Sequence, residues 1–226
     1  MGDRSSDGNH EEEISYKRQV DLFNPEDFSD ESVTIVGVGN IGSQAGLALA
    51  RLGIRNFTLI DHDHVEEHNL PSQSFDLSHL GVAKVTAMKK QIMSVNLDAY
   101  VTELETMFDS HKVQDQILII AVDSMDVRRE IYEQIKLSGD IPKLIIDARV
   151  GGPQLEVYTC ETMEEWSTKF YDNPSDDPCG ARYICYISMV VGAFIANQVK
   201  RYLRDENYNK RIMCDLNTYQ LFAFKE

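Results

Sequence analysis

No apolar run in this chain approaches the roughly 20 residues that a membrane-crossing helix needs; the longest, residues 184–199, is broken by Ser188, Asn197 and Gln198. A membrane span is therefore not expected. Basic charge is scarce too: 22 Lys and Arg face 37 Asp and Glu, a formal net charge of −15. Binding along a phosphate backbone rests on clustered cations that release counterions, so this balance argues against nucleic acid as a partner. No Cys-x-x-Cys pair occurs, and the four cysteines, Cys160, Cys179, Cys185 and Cys214, stand apart. That spacing reads as reduced thiols rather than a disulfide framework. Internal repeats are absent. Residues 1–13 set Asp3, Asp7 and Glu11 to Glu13 against Arg4 alone. They read as a disordered acidic tail without the apolar core of a secretory signal, and cytoplasmic residence is the expectation.

What is present is ordinary in amount: 42% hydrophobic and 26% charged residues over 226 positions. A chain of that size can bury about 70% of its unfolded surface in one main core, and residues 14–226 read as a single domain. Apolar spacing over 16–23 suits a short helix that Pro25 ends. Strand patterns at 33–36, 57–61, 100–104, 117–122, 143–147 and 154–159 alternate with helical patterns over 41–53, 81–96 and 125–137. Strands that are apolar throughout belong to a sheet covered on both faces. Their alternation with helices implies right-handed crossovers and a Rossmann-like, doubly wound α/β fold with a mostly parallel sheet. A long C-terminal helix over 180–202 and a β-hairpin over 211–216 and 219–224 complete it. Residues 64–80 read as a loop. The acidic stretch 161–177 reads as an excursion over the surface rather than a core element, with Trp166, Phe170 and Tyr171 packing it down.

The chemistry concentrates after the first strand, which runs into Gly37-Val38-Gly39-Asn40-Ile41-Gly42. Small residues at such a turn let backbone N–H groups approach a phosphate at the positive end of the following helix. Asp61, about 20 positions on, is placed to accept hydrogen bonds from ribose hydroxyls. The turn alone would equally fit an NAD-dependent oxidoreductase. The chain adds Asp63, Asn69, Gln73, Lys84 and, after strand 117–122, Asp123. All fall on loops or helix starts at the carboxyl ends of strands, where open α/β sheets bind ligands. A lysine, two amides and a distant carboxylate suit ATP with Mg²⁺: Lys84 to neutralise phosphate charge, Asp123 to hold the metal. By spacing alone Arg18 is a solvated surface charge, and His62, His64 and His68 read as surface histidines rather than a metal site.

Taken in order, Tyr16-x-Arg18-Gln19, Gly37-x-Gly39-x-x-Gly42, Asp61-x-Asp63-x-Val65-Glu66, Asn69-Leu70-x-x-Gln73, Gly81-x-x-Lys84, Asn96 and Asp123-x-x-Asp126-x-Arg128 resemble the ThiF/MoeB/HesA family. These are adenylyltransferases of the ubiquitin-activating-enzyme superfamily, and the resemblance runs from Tyr16 to Leu203. It implies that residues 14–226 are one ThiF-like adenylation domain. Gly37, Gly39, Asn40, Ile41, Gly42, Asp61 and Asp63 would hold ATP, Asn69, Gln73 and Lys84 would stand at the triphosphate, and Asp123 would bind Mg²⁺. Arg18 matches an arginine that members supply across a homodimer interface, which makes it a catalytic candidate beside Lys84 and Asp123. The implied reaction is attack of a carboxylate on the α-phosphate of ATP, the carboxylate being the C-terminus of a small ubiquitin-like or sulfur-carrier protein. A small-molecule carboxylate is the variant. A catalytically weak nucleotide-binding subunit of a heteromeric activating enzyme is the alternative.

The sequence departs from the family pattern in three places. Ser72 stands where the family has an arginine near the triphosphate, so Arg51, Arg55 or Arg128 would have to replace that cation, or activity would be slowed, altered or lost. The paired Cys-x-x-Cys motifs of many members are absent, so no structural zinc is expected. Of the thiols, Cys179, just ahead of the long helix, is the candidate for thioester or persulfide chemistry, since a helix N-terminus lowers a thiol's pKa; an inert turn cysteine is the other reading.

Overall fold

The computed structural model describes residues 16–109, 116–171 and 184–225; the acidic tail and Cys179 lie outside the described residues. The sheet is hung on β1 (Ser32–Val36), whose Val33 and Ile35 have no exposed surface. Beside it run β2 (Asn56–Ile60) and then β3 (Tyr100–Leu104) on one side, and on the other β4 (Ile117–Ile120) and β5 (Leu144–Gly151), all parallel. Three antiparallel strands extend the second side: β6 (Gln154–Cys160), β7 (Arg211–Asp215) and β8 (Gln220–Phe224). The order is therefore β3-β2-β1-β4-β5-β6-β7-β8. The chain winds outward from β1 to β3, returns, and winds the other way from β4, so a crevice opens beyond the carboxyl ends of β1 and β4.

The helices are α1 (Asn40–Leu52), α2 (Lys84–Val95), α3 (Met125–Ser138), α4 (Met163–Ser167) and α5 (Cys185–Leu203). Strand side chains alternate between two cores. Ile35, Ile119 and Ile146 join Leu49 of α1, Met88 of α2 and Val191 of α5 on one face. Val36, Leu118, Ile120 and Ile145 join Ile131 of α3 and Trp166 of α4 on the other. Both faces are covered, which is why the central strand β4 is apolar and buried at every position. Among the described residues no helix is long and apolar enough to cross a membrane.

Three expectations are corrected. Residues 16–23 form consecutive turns rather than a regular helix, with Gln19 and Val20 N–H on the Tyr16 carbonyl and Leu22 and Phe23 N–H on that of Gln19. So short a segment gains too few hydrogen bonds to offset helix nucleation, and Pro25 instead opens a 3₁₀ turn, Pro25–Phe28. The segment is anchored by Phe23, which is buried and stacks on Phe28 at 4.9 Å. The loop over 64–80 contains two 3₁₀ turns, Glu67–Asn69 and Leu77–His79, each closed by a capping box.

The acidic excursion is the largest correction. Thr162 caps α4 by accepting the Glu165 N–H at 3.1 Å, and Met163 and Trp166 drop into the second core. Trp166 has no exposed surface and meets Phe170 edge to face at 5.1 Å. The acidic residues face outward on a helix of only five residues, too short for its period to show. Trp166 is thus the plug of this core, as its expected packing role required. Replacing it by Ala should cost about 3–5 kcal/mol of unfolding free energy; since it is the chain's one Trp, urea unfolding followed by circular dichroism is the measurement.

Candidate active site

The site begins where β1 stops. Gly37 adopts φ 84°, in the left-handed region, and a Cβ there would lie 2.7 Å from the Ala121 carbonyl oxygen. At Gly42 a Cβ would collide with the carbonyl oxygen of Gly37. Only glycine at both positions lets α1 start directly off the strand. Asp61, just past β2, then ties the turn down: Val38 N–H donates to its Oδ2 at 2.6 Å and Asp63 N–H to its Oδ1 at 2.9 Å. Each carboxylate oxygen keeps lone-pair capacity for a further donor. A cleft of about 960 Å³ opens here, lined by the glycine turn, the 61–73 loop, Lys84, the start of α3 and the β5–β6 strands.

On the loop wall, Asn69 uses its Oδ1 to accept the Glu66 N–H at 2.9 Å, while its carbonyl accepts from Ser72 and Gln73. It shapes the loop that presents Gln73. Gln73 Oε1 is buried without a partner, and so is Asn40 Nδ2 at the head of α1. An unpaired buried polar atom costs about 1–3 kcal/mol. Because both residues line the cleft, these atoms fit a polar ligand there. Lys84 heads α2 with its side chain 8% exposed and its Nζ 2.8 Å from Asp63 Oδ2. Partial burial pushes the Asp63 carboxyl up, but the Lys84 hydrogen bond and charge outweigh it and hold the group below its ordinary range. Asp63 therefore holds Lys84.

Asp123 is exposed at the cleft rim between β4 and α3. Asp61, His62 and Asp63 bring ligand atoms within 4.8 Å of one another, yet Asp61 and Asp63 already accept the bonds just described. Among the described residues Asp123 makes no side-chain hydrogen bond or ion pair, so its carboxylate has full capacity for a divalent cation.

The far end of the cleft was not foreseen. Asp147 of β5 is wholly buried and receives Arg128 Nε on Oδ1 at 2.9 Å, Arg149 Nη2 on Oδ2 at 2.6 Å and Trp166 Nε1 on Oδ2 at 3.0 Å. Burial pushes its carboxyl up; Arg128 and Arg149 more than reverse this and hold it below the usual carboxylate range. Arg149 gives Nη1 to the Lys169 carbonyl at 2.9 Å and lies over the rings of Tyr158 and Tyr171, 4.7 and 5.2 Å from their centroids. Beside it Tyr158 donates to Glu156 Oε2 at 2.9 Å. Burial first, then that carboxylate, push the phenol up to about 12. The signal available was Asp147-Ala148-Arg149, a pair of charges continuing the apolar run Leu144-Ile145-Ile146 inside a buried strand.

The cleft thus brings together Gly37, Gly39, Asn40, Ile41, Asp61, Asp63, Asn69, Gln73, Lys84 and Asp123, with Ser72 among them. Gly42 stands behind the turn, and Arg18 is exposed and does not line the cleft of its own chain. None of the three candidate replacements for a cation at Ser72 is free to act. Arg51 and Arg55 are off the cleft, Arg55 pairing with Glu26. Arg128 is spent on Asp147, Ser124 O and Ala148 O. Of the described thiols Cys160 and Cys214 are buried and Cys185 is exposed; burial pushes Cys160 up to about 12.

Because the Asp147 pKa is depressed on folding, its stabilisation is complete above the unfolded-state value of about 3.9 and is lost as pH falls through the lower folded value. Asp147→Asn leaves two arginines without their anion and should cost about 3–5 kcal/mol at neutral pH. Urea midpoints of the two proteins should therefore converge as pH is lowered into the acid range.

The family model described as ThiF family matches residues 16–225. Among curated relatives, a molybdopterin-synthase adenylyltransferase of Haemophilus influenzae is 29% identical over 136 residues, 55% of this chain and 56% of that protein. A ubiquitin-like modifier-activating enzyme 5 of Branchiostoma floridae is 36% identical over 129 residues, 57% of this chain and 29% of that one. The chain thus spans about half the length, or less, of these relatives. Among solved structures, PaaA superposes with TM-score 0.73 at 16% identity over 97% of this chain and 77% of its own. E. coli MccB with ATP gives 0.70 at 19% over 88% and 64%. At such identities the likeness is one of fold.

Proposed function

The chain belongs to the ThiF family, and from that premise we propose that it is an ATP-dependent adenylyltransferase acting in the cytoplasm on the C-terminal carboxylate of a small ubiquitin-like or sulfur-carrier protein. A carboxylate oxygen bonds to the α-phosphorus of ATP, the bond to the β-phosphate breaks, and pyrophosphate leaves. The observation that carries this reading is the convergence of the glycine turn, Asp61, Lys84 and Asp123 on one cleft. The turn and α1 N-terminus receive phosphate oxygens, Asp61 has acceptor capacity for the ribose, and Lys84 meets charge building on the phosphates. Such a reaction needs positioning and charge neutralisation rather than covalent help.

Charge balance implies two further contributors. The cleft is lined by Asp61, Asp63, Asp123 and Glu156 against Lys84, Arg128 and Arg149, and the guanidiniums sit on Asp147. A triphosphate brought here needs outside cations. Asp123 would hold Mg²⁺, which screens the phosphates, and Arg18 of a second copy would reach across a homodimer, supplying charge where Ser72 supplies none.

ATP–pyrophosphate exchange tests the reading. Exchange should appear with Mg²⁺ and a small protein ending in Gly-Gly, and Lys84→Ala should lower it by about 100-fold, the scale of losing one charge-stabilising group. Stabilisation by NADH and none by Mg·ATP in a thermal-shift assay would refute it. Arg18→Ala and Asp123→Ala should each abolish exchange and, mixed, restore part of it, since one mixed site then holds both wild-type groups. Mixed dimers that stay inactive would remove Arg18 from the reaction.

A further inference from the structure

The unpartnered Asn40 Nδ2 has a cause elsewhere in the fold. Helices α1 and α5 run parallel and in close register: Gly192 is so near α1 that a Cβ would lie 2.9 Å from both the carbonyl carbon and the Cβ of Gln44. One turn earlier on each helix stand Ser188 and Asn40. Ser188, with no exposed surface, donates its hydroxyl hydrogen to Asn40 Oδ1. A helical serine ordinarily satisfies that hydrogen on the carbonyl four residues back; here it crosses to the neighbouring helix. With Oδ1 taken by that hydroxyl, the carboxamide's NH₂ is the group left buried and unpartnered, in a residue that lines the cleft.

Resting on the adenylation reading, we propose that Ser188 is a positioning residue for the nucleotide: it fixes the Asn40 carboxamide so that its NH₂ meets a phosphate oxygen. Three features support this assignment. Asn40 is the first residue of α1, where N–H groups and the helix dipole already favour an anion. The donor is buried and unpaired, a cost that a ligand oxygen removes. The same wall lacks a cation, because Ser72 offers only a hydroxyl and no arginine lining the cleft is free of Asp147. A neutral donor held in place by α5 partly compensates for that absence. Gly192 is the structural condition, since any side chain there would separate the helices and withdraw Ser188.

Calorimetric titration of the full chain with Mg·ATP, without a carboxylate substrate, tests this directly. Ser188→Ala and Asn40→Ala should each weaken binding about tenfold, the loss of one hydrogen bond to a charged oxygen, and the double variant should be no weaker than either alone. Asn40→Asp keeps the acceptor for Ser188 but replaces the donor with an anion, so it should lose more than Asn40→Ala. Ser188→Thr, which retains the hydroxyl, should restore most of the affinity. Single-variant losses that add in the double variant, or a Ser188→Ala protein whose thermal midpoint falls while its affinity stays at the wild-type value, would overturn the positioning role. Wild-type chain that fails to bind Mg·ATP would overturn both this role and the adenylation reading, whereas wild-type binding with unaffected variants would overturn the role alone.

Discussion

The contact between Gly37 and Gly42 is the constraint on which the rest of the site depends. Without side chains at these two positions, the strand can turn and enter the helix within a few residues, and the first turn of α1 comes to rest against the end of β1. Everything polar then falls into place around a short arc of backbone. Val38 N–H reaches Asp61, Ser43 Oγ accepts the Ser74 N–H at 3.1 Å, and Asn40 faces the cleft. A bulkier turn would separate α1 from the strand and pull these links apart together, because each is anchored on the same few residues. The turn also sits where strand order reverses, so the adjacent space is left open by topology alone.

A second anchor, of different physics, holds the opposite end. Asp147 is a carboxylate removed from water, and isolated it would be protonated or would destabilise the fold. Two guanidiniums and an indole N–H make it tolerable, and in return it fixes Arg128, Arg149 and Trp166. The arrangement joins α3, β5 and α4 through one atom pair, so the helix of the acidic segment is tied to the cleft floor. Arg149 in turn lies between two tyrosine rings. This end therefore balances Arg128 and Arg149 against Asp147 and Glu156, while the glycine-turn end holds Asp61, Asp63 and Asp123.

The alternation of strands and helices was legible because the central parallel strands are mostly apolar and their helices end at residues such as Gly53, which caps α1 in the left-handed conformation. That the glycine turn, Asp61 and Asp123 would line one cleft was legible for a related reason: glycine turns and strand-end carboxylates are local in sequence. What was not legible is non-local. A run as short as 16–23 is not closed into a helix by its own period, and the Phe23–Phe28 stack that anchors it reaches outside the run. The core role of α4 depends on a single Trp meeting a carboxylate 19 residues away. The link from Ser188 to Asn40 spans 148 positions and leaves no motif at all. Even Asp63, counted among the ATP-binding candidates, proves to be the partner of Lys84, because spacing shows which residues share a region and not which of them bond.

These two anchors divide the cleft by chemistry as well as by position. The half set by α1, α2 and the 61–73 loop offers N–H donors, Lys84 and carboxylates that suit a triphosphate and its cation. The half set by β5 and β6 offers Arg149, Glu156 and an open sheet edge beyond them, with Phe222 and Phe224 of β8 exposed. In the first half the one lysine is already matched by Asp63, which leaves backbone and neutral donors as the remaining groups for an anion. On the adenylation reading proposed above, the balance of charge would come from a metal and from a second chain, and nucleotide chemistry would be coupled to assembly.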